Sequence, residues 1–152
     1  NYLSYLCDTF VIHKAMRYDL KGKRLLEMNE KYYLGDLGMR HARLGYRDAD
    51  ISGLLENIVF LELKRRGYEV FIGKMNEYEI DFVAEKNQER LYVQVAYLLA
   101  TQETVEREFR PLRQIRDNYP KLVLSMDTLL ANDYEGIKWK NVVDFLLDEG
   151  KE

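Results

Sequence analysis

The chain has 152 residues, of which 47% are hydrophobic and 32% charged, with a formal net charge of −3. That length suits one compact domain, or a domain plus a fragment of another, and apolar runs spread along the whole sequence argue against disorder. A lone Cys7 excludes an intrachain disulfide scaffold, no apolar run approaches the roughly 18 residues of a membrane span, and no signal peptide is visible, so a cytoplasmic protein is expected.

The sequence starts at Asn1 rather than Met and runs straight into apolar residues, as expected of a fragment of something longer. Leu3, Leu6 and Phe10 have helical spacing. Val11-Ile12 then leads to a polar turn around Asp19-Leu20-Lys21-Gly22-Lys23, and residues 31–34 read as a short strand broken by Gly35 and Gly38. Gly35-Asp-Leu-Gly38 itself reads as a turn rather than a phosphate cradle. A helix, a turn with Lys-Gly-Lys at its tip and a strand suit part of a small winged helix, and equally a short α+β connector.

This first third is basic. From His13 to Arg47, nine Lys and Arg stand against four acids, about +5 locally. Phe10, Tyr18, Tyr32, Tyr33 and Tyr46 are interleaved with them. Basic residues with aromatics are one footprint of nucleic-acid binding; a solvated, loop-rich surface is the plainer reading. If duplex DNA is bound, Lys14, Arg17, Lys21, Lys23, Arg24, Arg40 and Arg43 are the expected phosphate contacts.

From Ile51 the pattern sharpens. Ser52 is placed to cap a helix running to about Arg66 and stopping at Gly67. Leu54, Leu55, Ile58, Val59, Leu61 and Leu63 cover most of its circumference, so it should be largely buried. Strands are expected at 68–72, 79–84 and 90–97, with Gly73 and Asn76 in one turn and Lys86 and Asn87 in the next. A second amphipathic helix spans roughly 103–118, with Val105, Phe109, Leu112, Ile115 and Tyr119 as its stripe and Pro120 as its stop. A strand at 121–125, a short one near 137–140 and a helix capped by Asn141 complete the chain. The order implies an α/β layer protein with a mixed sheet, divided into a connector at 1–50 and a domain at 51–152.

Carboxylates intrude on this apolar pattern, and a buried charge needs a partner or a purpose. Asp81 interrupts Ile80-Asp-Phe82-Val83 in mid-strand, where Asp is disfavoured. Strict alternation puts Ile80, Phe82 and Ala84 on one face and Glu79, Asp81 and Val83 on the other. In the next strand Leu91, Val93, Val95 and Tyr97 share a face, and Tyr92, Gln94 and Ala96 the opposite one, so Asp81 and Gln94 are expected side by side. Glu56 and Glu62 fall on or beside the apolar arcs of the first long helix, and Glu108 and Arg116 on that of the second. Satisfied ion pairs explain any one of these acids; together they outline one shallow site.

A helix with Glu, a strand with Asp and a strand with Glu-x-Lys resembles the core of the PD-(D/E)XK nucleases. Glu56 stands 11 residues before Gly67-Tyr68, Asp81 fills the Asp position, and Gln94-Val95-Ala96 falls 13 residues further on, where Glu-x-Lys is expected. The segments RYDLKGKRLLEMNEKYYLGDLG, LLENIVFLELKRRGYEVFIGK, EIDFVA, YVQVAY and EREFRPLRQIRDNYPKLVLSMD resemble a bacterial and archaeal family in which this region follows an AAA-type ATP-binding module as a C-terminal domain of unknown function.

The resemblance implies a restriction-endonuclease-like fold, preceded by part of a winged helix in residues 1–50. It implies Mg²⁺ held by Glu56 and Asp81 in an active member, with a lysine to activate water. Here Gln94 lacks a charge and Ala96 supplies nothing, so metal affinity should fall and the water-activating group is missing. Lys74 and Arg107 are the candidates to fill that gap, Glu62 is the candidate replacement carboxylate, and Glu108 is an accessory. The leading expectation is a degenerate nuclease fold that binds DNA or a protein partner, its own ATPase module included. An unorthodox Mg²⁺-dependent endonuclease and a pure protein-interaction module are the alternatives. No P-loop, G-x-S-x-G elbow or G-x-G-x-x-G fingerprint is present, so ATP would belong to the upstream module. His13 and His41 have no Cys or second His at metal-ligand spacing.

Overall fold

The alternating and helical stretches assemble into one mixed sheet with helices on both faces, in a computed structural model that describes residues 2–128 and 133–148. Helix α1 (Tyr2–Asp8) leads into β1 (Ile12–Asp19), which turns through residues 20–23 into β2 (Arg24–Leu34). Asp19 shapes that turn by accepting the amides of Lys21 and Gly22. The strand expected at 31–34 is thus the end of a longer one. The Gly35–Gly38 turn opens a further helix, α2 (Leu37–Leu44), because the Asp36 carboxylate accepts the Gly38 amide at 2.6 Å and caps it.

A 3₁₀ turn at Asp48–Asp50 precedes α3 (Ile51–Arg65). Asp50 rather than Ser52 holds the N-cap position, and its side chain makes no cap bond, since the Arg40 guanidinium holds that carboxylate. The helix ends as expected before Gly67, which adopts φ +85°. Strands β3 (Glu69–Met75), β4 (Tyr78–Lys86) and β5 (Glu89–Val95) follow as two hairpins. Asn76, Asn87 and Gln88 supply the positive φ of their turns, whereas Gly73 lies inside β3.

Helix α4 (Gln102–Arg113) is shorter than the apolar stripe predicts. Pro111 sits inside it, lacks an N–H and crowds the preceding turn, and the helix stops two residues later, well before Pro120. Tyr119 therefore lies beyond it, and Arg116 is exposed. Strands β6 (Lys121–Ser125), β7 (Asp133–Tyr134) and β8 (Ile137–Asn141) precede α5 (Val142–Leu147), which Asn141 caps through the Val143 amide at 2.8 Å.

The eight strands formed by the described residues lie in the order β2-β1-β3-β4-β5-β6-β8-β7. β1 is parallel to β3, and β6 runs parallel to both β5 and β8; the other neighbours are antiparallel. Helices α3 and α5 bury Val59, Phe60, Leu63, Val142 and Phe145 against one face, with Phe82, Val93 and Leu124 beneath. Helix α4 buries Val105, Phe109 and Leu112 against the other, over Ile80, Val83, Tyr92 and Val123. The division expected at residue 50 does not interrupt the sheet: β1 pairs with β3, and Ala15 and Tyr33 belong to the same core as α3. No helix of the described residues is long and apolar enough to cross a membrane.

Strict alternation fails in β4. Phe71 pairs with Val83 and Gly73 with Ile80, so one residue of β3, Ile72, opposes two of β4, a bulge that contains Asp81 and Phe82. Ile80 and Val83 consequently pack on the α4 side, while Phe82 and Ala84 pack on the α3 side. The face assignment of β5 holds, with Val93 and Val95 on one side and Tyr92 and Ala96 on the other. Gly73 fits tightly beside the bulge: a Cβ there would lie 2.9 Å from the Ile80 Cβ and 3.0 Å from the Val83 Cγ2. Gly73→Ala should therefore cost about 1–2 kcal/mol, read as a lower urea midpoint with an unchanged slope.

Candidate functional site

The bulge opens a fork in the sheet. The β4–β5 ladder runs from Lys86 opposite Glu89 to Phe82 opposite Val93. Past that point β5 continues against β6 and β4 continues against β3. Two side chains bridge the opening. The Asp81 amide donates to the Gln94 Oε1 at 3.3 Å, and the Val95 amide donates to the Asp81 Oδ2 at 2.8 Å. The adjacency of Asp81 and Gln94 expected from alternation is therefore present, through side chain–main chain bonds rather than a regular ladder.

Three other elements close on this fork. On the α4 side, the Gln94 Nε2 donates to the Glu108 Oε2 at 3.1 Å, and Arg107 holds the other oxygen of Glu108 at 2.9 Å. On the α3 side, the Glu56 Oε1 accepts from the Lys31 Nζ at 3.1 Å and from the Tyr33 hydroxyl at 2.5 Å. The same ammonium lies 2.7 Å from Glu79 Oε1, whose second oxygen is held by Arg17. Lys31 and Tyr33 are two residues apart on β2 and so face the same way. Tyr33 is fixed by stacking on Phe60, with ring centroids 4.2 Å apart.

The electrostatics follow from this packing. Burial, and then the nearby Glu56 carboxylate, push the Asp81 carboxyl up to about 8, against the bond from Val95 and the attraction of Lys31. At neutral pH Asp81 is therefore mostly protonated. Burial alone would lower the Lys31 ammonium, but Glu79 and Glu56 outweigh it and hold Lys31 above its usual range. Burial would raise Glu79, but Lys31 and Arg17 keep it low. Burial and the Glu56 charge raise the Tyr33 hydroxyl, which stays a donor at ordinary pH.

Of the expected site residues, Glu56, Asp81, Gln94 and Glu108 come together. Glu62 does not: it is buried under α3 and bonded by Arg65 and Arg66, and Arg66 in turn donates to the carbonyl of Phe145 on α5. Those guanidiniums, Arg65 first, keep Glu62 low despite its burial. It is a structural pin between α3 and α5, not a replacement carboxylate. Arg107 touches Glu108 but its side chain is 73% exposed, and Lys74 lies on β3 opposite Glu79 in register. Ala96 is buried and brings no polar group.

Lys31, Tyr33 and Glu79 are the participants that sequence reasoning did not single out. The available signal was a lysine sharing a strand face with a tyrosine that has to be buried. Among the candidate phosphate contacts, Lys14, Lys21, Lys23, Arg24 and Arg43 are exposed. Arg17 and Arg40 are not available, because Arg17 is taken by Glu79 and the Asn29 carbonyl and Arg40 by Asp50.

The side chains as arranged do not fit Mg²⁺. Among the described residues no group of three or more His, Cys, Asp or Glu is placed to hold a metal ion. One oxygen of Glu56 already accepts from Lys31 and Tyr33, Asp81 accepts the Val95 amide, and the Gln94 oxygen accepts the Asp81 amide. A hard dication demands several free oxygen ligands in near-octahedral array. What the site can do chemically is hold a proton on Asp81 and a positive charge on Lys31.

Comparison with known proteins finds uncharacterized relatives. An uncharacterized protein of Haemophilus influenzae is 43% identical over 146 residues, covering 96% of this chain and 36% of its own length. The uncharacterized protein MJ1544 of Methanocaldococcus jannaschii is 34% identical over 114 residues, covering 72% of this chain and 24% of its own length. The chain thus spans about a third or less of the length of these curated relatives. No family model matches the sequence.

Proposed function

We propose that the chain is the nuclease-like, C-terminal module of an AAA-type ATPase, and that it binds duplex DNA without cutting it. The observation that carries this reading is the filled site: Lys31 and Tyr33 both occupy one oxygen of Glu56, while Ala96 leaves no group to activate water. The order of elements supports the nuclease-like assignment. A Glu-bearing α3 precedes the antiparallel β3–β4–β5, and α4 then leads to β6, parallel to β5. Relatives three to four times longer than the matched region support a module of a larger protein, in which ATP would bind elsewhere.

The DNA-binding half of the proposal rests on the β1–β2 hairpin. Its tip carries Lys21, Lys23 and Arg24, all exposed, with Lys14 on β1 and Arg43 on α2 as further cations. These would contact phosphates and read no sequence. Reversing Lys21, Lys23 and Arg24 to Glu should weaken binding to a short duplex about tenfold or more at low salt. It should also reduce the slope of log K against log salt by about 2–3. Binding that ignores salt, or that survives the triple reversal, would replace DNA with a protein partner. A Mn²⁺-supported cleavage assay completes the test: cleavage by the native chain that disappears in Asp81→Ala would overturn the non-cutting reading.

A further inference from the structure

We propose that Lys31 is the resident cation of the fork, a tethered ammonium that does the charge-neutralising work of a bound metal ion and thereby keeps metal out. The inference rests on reading Glu56 and Asp81 as ligand positions of a nuclease-like site. It adds the group that closes that site, which comes from an element outside the helix and strands that carry them.

Glu56, Glu79 and Glu108 reach the fork from three elements around the protonated Asp81, and carboxylates so placed need positive charge among them. Lys31 supplies it. Its nitrogen lies 3.1 Å from Glu56 and 2.7 Å from Glu79, so one ammonium joins α3 to β4. The charged groups facing it are Glu56 and Glu79, with Asp81 in electrostatic contact and Arg17 on the far oxygen of Glu79. Tyr33 adds a second donor to the same oxygen of Glu56, so this carboxylate is aimed at β2.

The residue is also held in place. β2 bonds to β1, and Asn57 on α3 accepts the Leu34 amide at 2.8 Å and donates to the Leu34 carbonyl at 2.9 Å. That two-point clamp fixes the end of β2 against α3, three residues from Lys31. A lysine seated on folding has already met its dehydration cost, whereas an incoming Mg²⁺ has not, and together with Tyr33 it fills one oxygen of Glu56. The N-terminal hairpin is thus a working part of the site.

The test is a Mn²⁺ titration of the chain, followed by calorimetry and by the electron paramagnetic resonance of free Mn²⁺. The native chain should show no saturable site that depends on Asp81. Lys31→Met, which removes the charge and keeps the stem, should gain one, binding Mn²⁺ about tenfold or more tighter than the native chain. Adding Asp81→Asn should abolish the gain. Lys31→Arg, which retains the charge, should behave like the native chain. Should Lys31→Met fold poorly, Lys31→Gln and melting with and without Mn²⁺ decide the matter: Mn²⁺ should raise the melting temperature of the neutral variant and leave the native one unmoved.

A saturable Mn²⁺ site in the native chain that is lost in Asp81→Asn would overturn the proposal, as would folded, charge-free variants that gain no Mn²⁺ site. Mn²⁺ binding by the native chain without DNA cleavage would sink this inference alone. Cleavage that requires Asp81 would sink the non-cutting reading.

Discussion

Phe60→Ala should destabilise the protein by about 3–5 kcal/mol, the range found when a large buried aromatic is truncated. Phe60 is 1% exposed and lies on the buried side of α3. Its ring stacks on Tyr33 at 4.2 Å and 16°, and tilted contacts reach Phe82 at 6.0 Å and His13 at 6.0 Å. The cavity would therefore open beneath β1, β2 and β4 together, within the core that the N-terminal hairpin, α3 and the central sheet share. Tyr33 would lose the ring that orients its hydroxyl toward Glu56. Phe60→Leu, which restores much of the volume, should cost well under half as much. Urea midpoints for both variants check this. A loss below about 1 kcal/mol in Phe60→Ala would mean that the hairpin packs less intimately on α3 than the aromatic contacts indicate.

Much of the architecture was legible because local signals agreed with one another. The strand at Lys121–Ser125 and the Asn141 cap were readable from turn chemistry and short apolar runs. Boundaries failed where a tertiary partner changed the local rule. Ser52 looked like a cap until Arg40 fixed Asp50 ahead of it. The apolar stripe of α4 continued past Pro111, and the stripe alone gave no weight to the missing N–H. Residues 1–50 looked like a separate connector because their composition is basic and broken by glycines. Composition does not encode which edge of a sheet a hairpin joins, and that pairing places Tyr33 in the common core.

The site was legible in its acids and not in its cation. Glu56, Asp81, Gln94 and Glu108 stood out because each interrupts an apolar pattern, and burying a charge is expensive enough to leave that trace. Alternation correctly paired Asp81 with Gln94, although a bulge turned the flanking residues and set Ile80 and Phe82 on opposite faces. Lys31 left a weaker trace, because a lysine in a strand next to tyrosines reads as an exposed charge. Its role depends on a contact 25 residues away in the sequence with Glu56 and another with Glu79, which local pattern does not report.

Asp81→Asn should stabilise the protein in alkaline solution, although it removes a carboxylate from the centre of the candidate site. The Asp81 carboxyl sits at about 8 in the folded chain, against an ordinary 3.8. Between those values the folded state binds a proton that the unfolded state has released. Stability from this group is thus full below about pH 4, declines as pH rises, and is lost once the folded carboxyl ionises near pH 8. The cause is burial first and the Glu56 carboxylate second, with Glu108 adding to the repulsion and Lys31 and the Val95 amide opposing it. Asparagine imitates the protonated acid: its oxygen can still accept the Val95 amide, and its amide carries no charge. The full shift converts to more than the protein will show, because Asp81 is only partly buried and solvent screens it. We expect Asp81→Asn to be about 2–3 kcal/mol more stable than the native chain at pH 9, with the difference shrinking toward zero near pH 4. Urea unfolding at pH 4, 6.5 and 9 measures it. A variant less stable than the native chain at pH 9 would show that the ionised carboxylate is the form this fold requires, and that the fork is held by charge rather than by a protonated carboxyl.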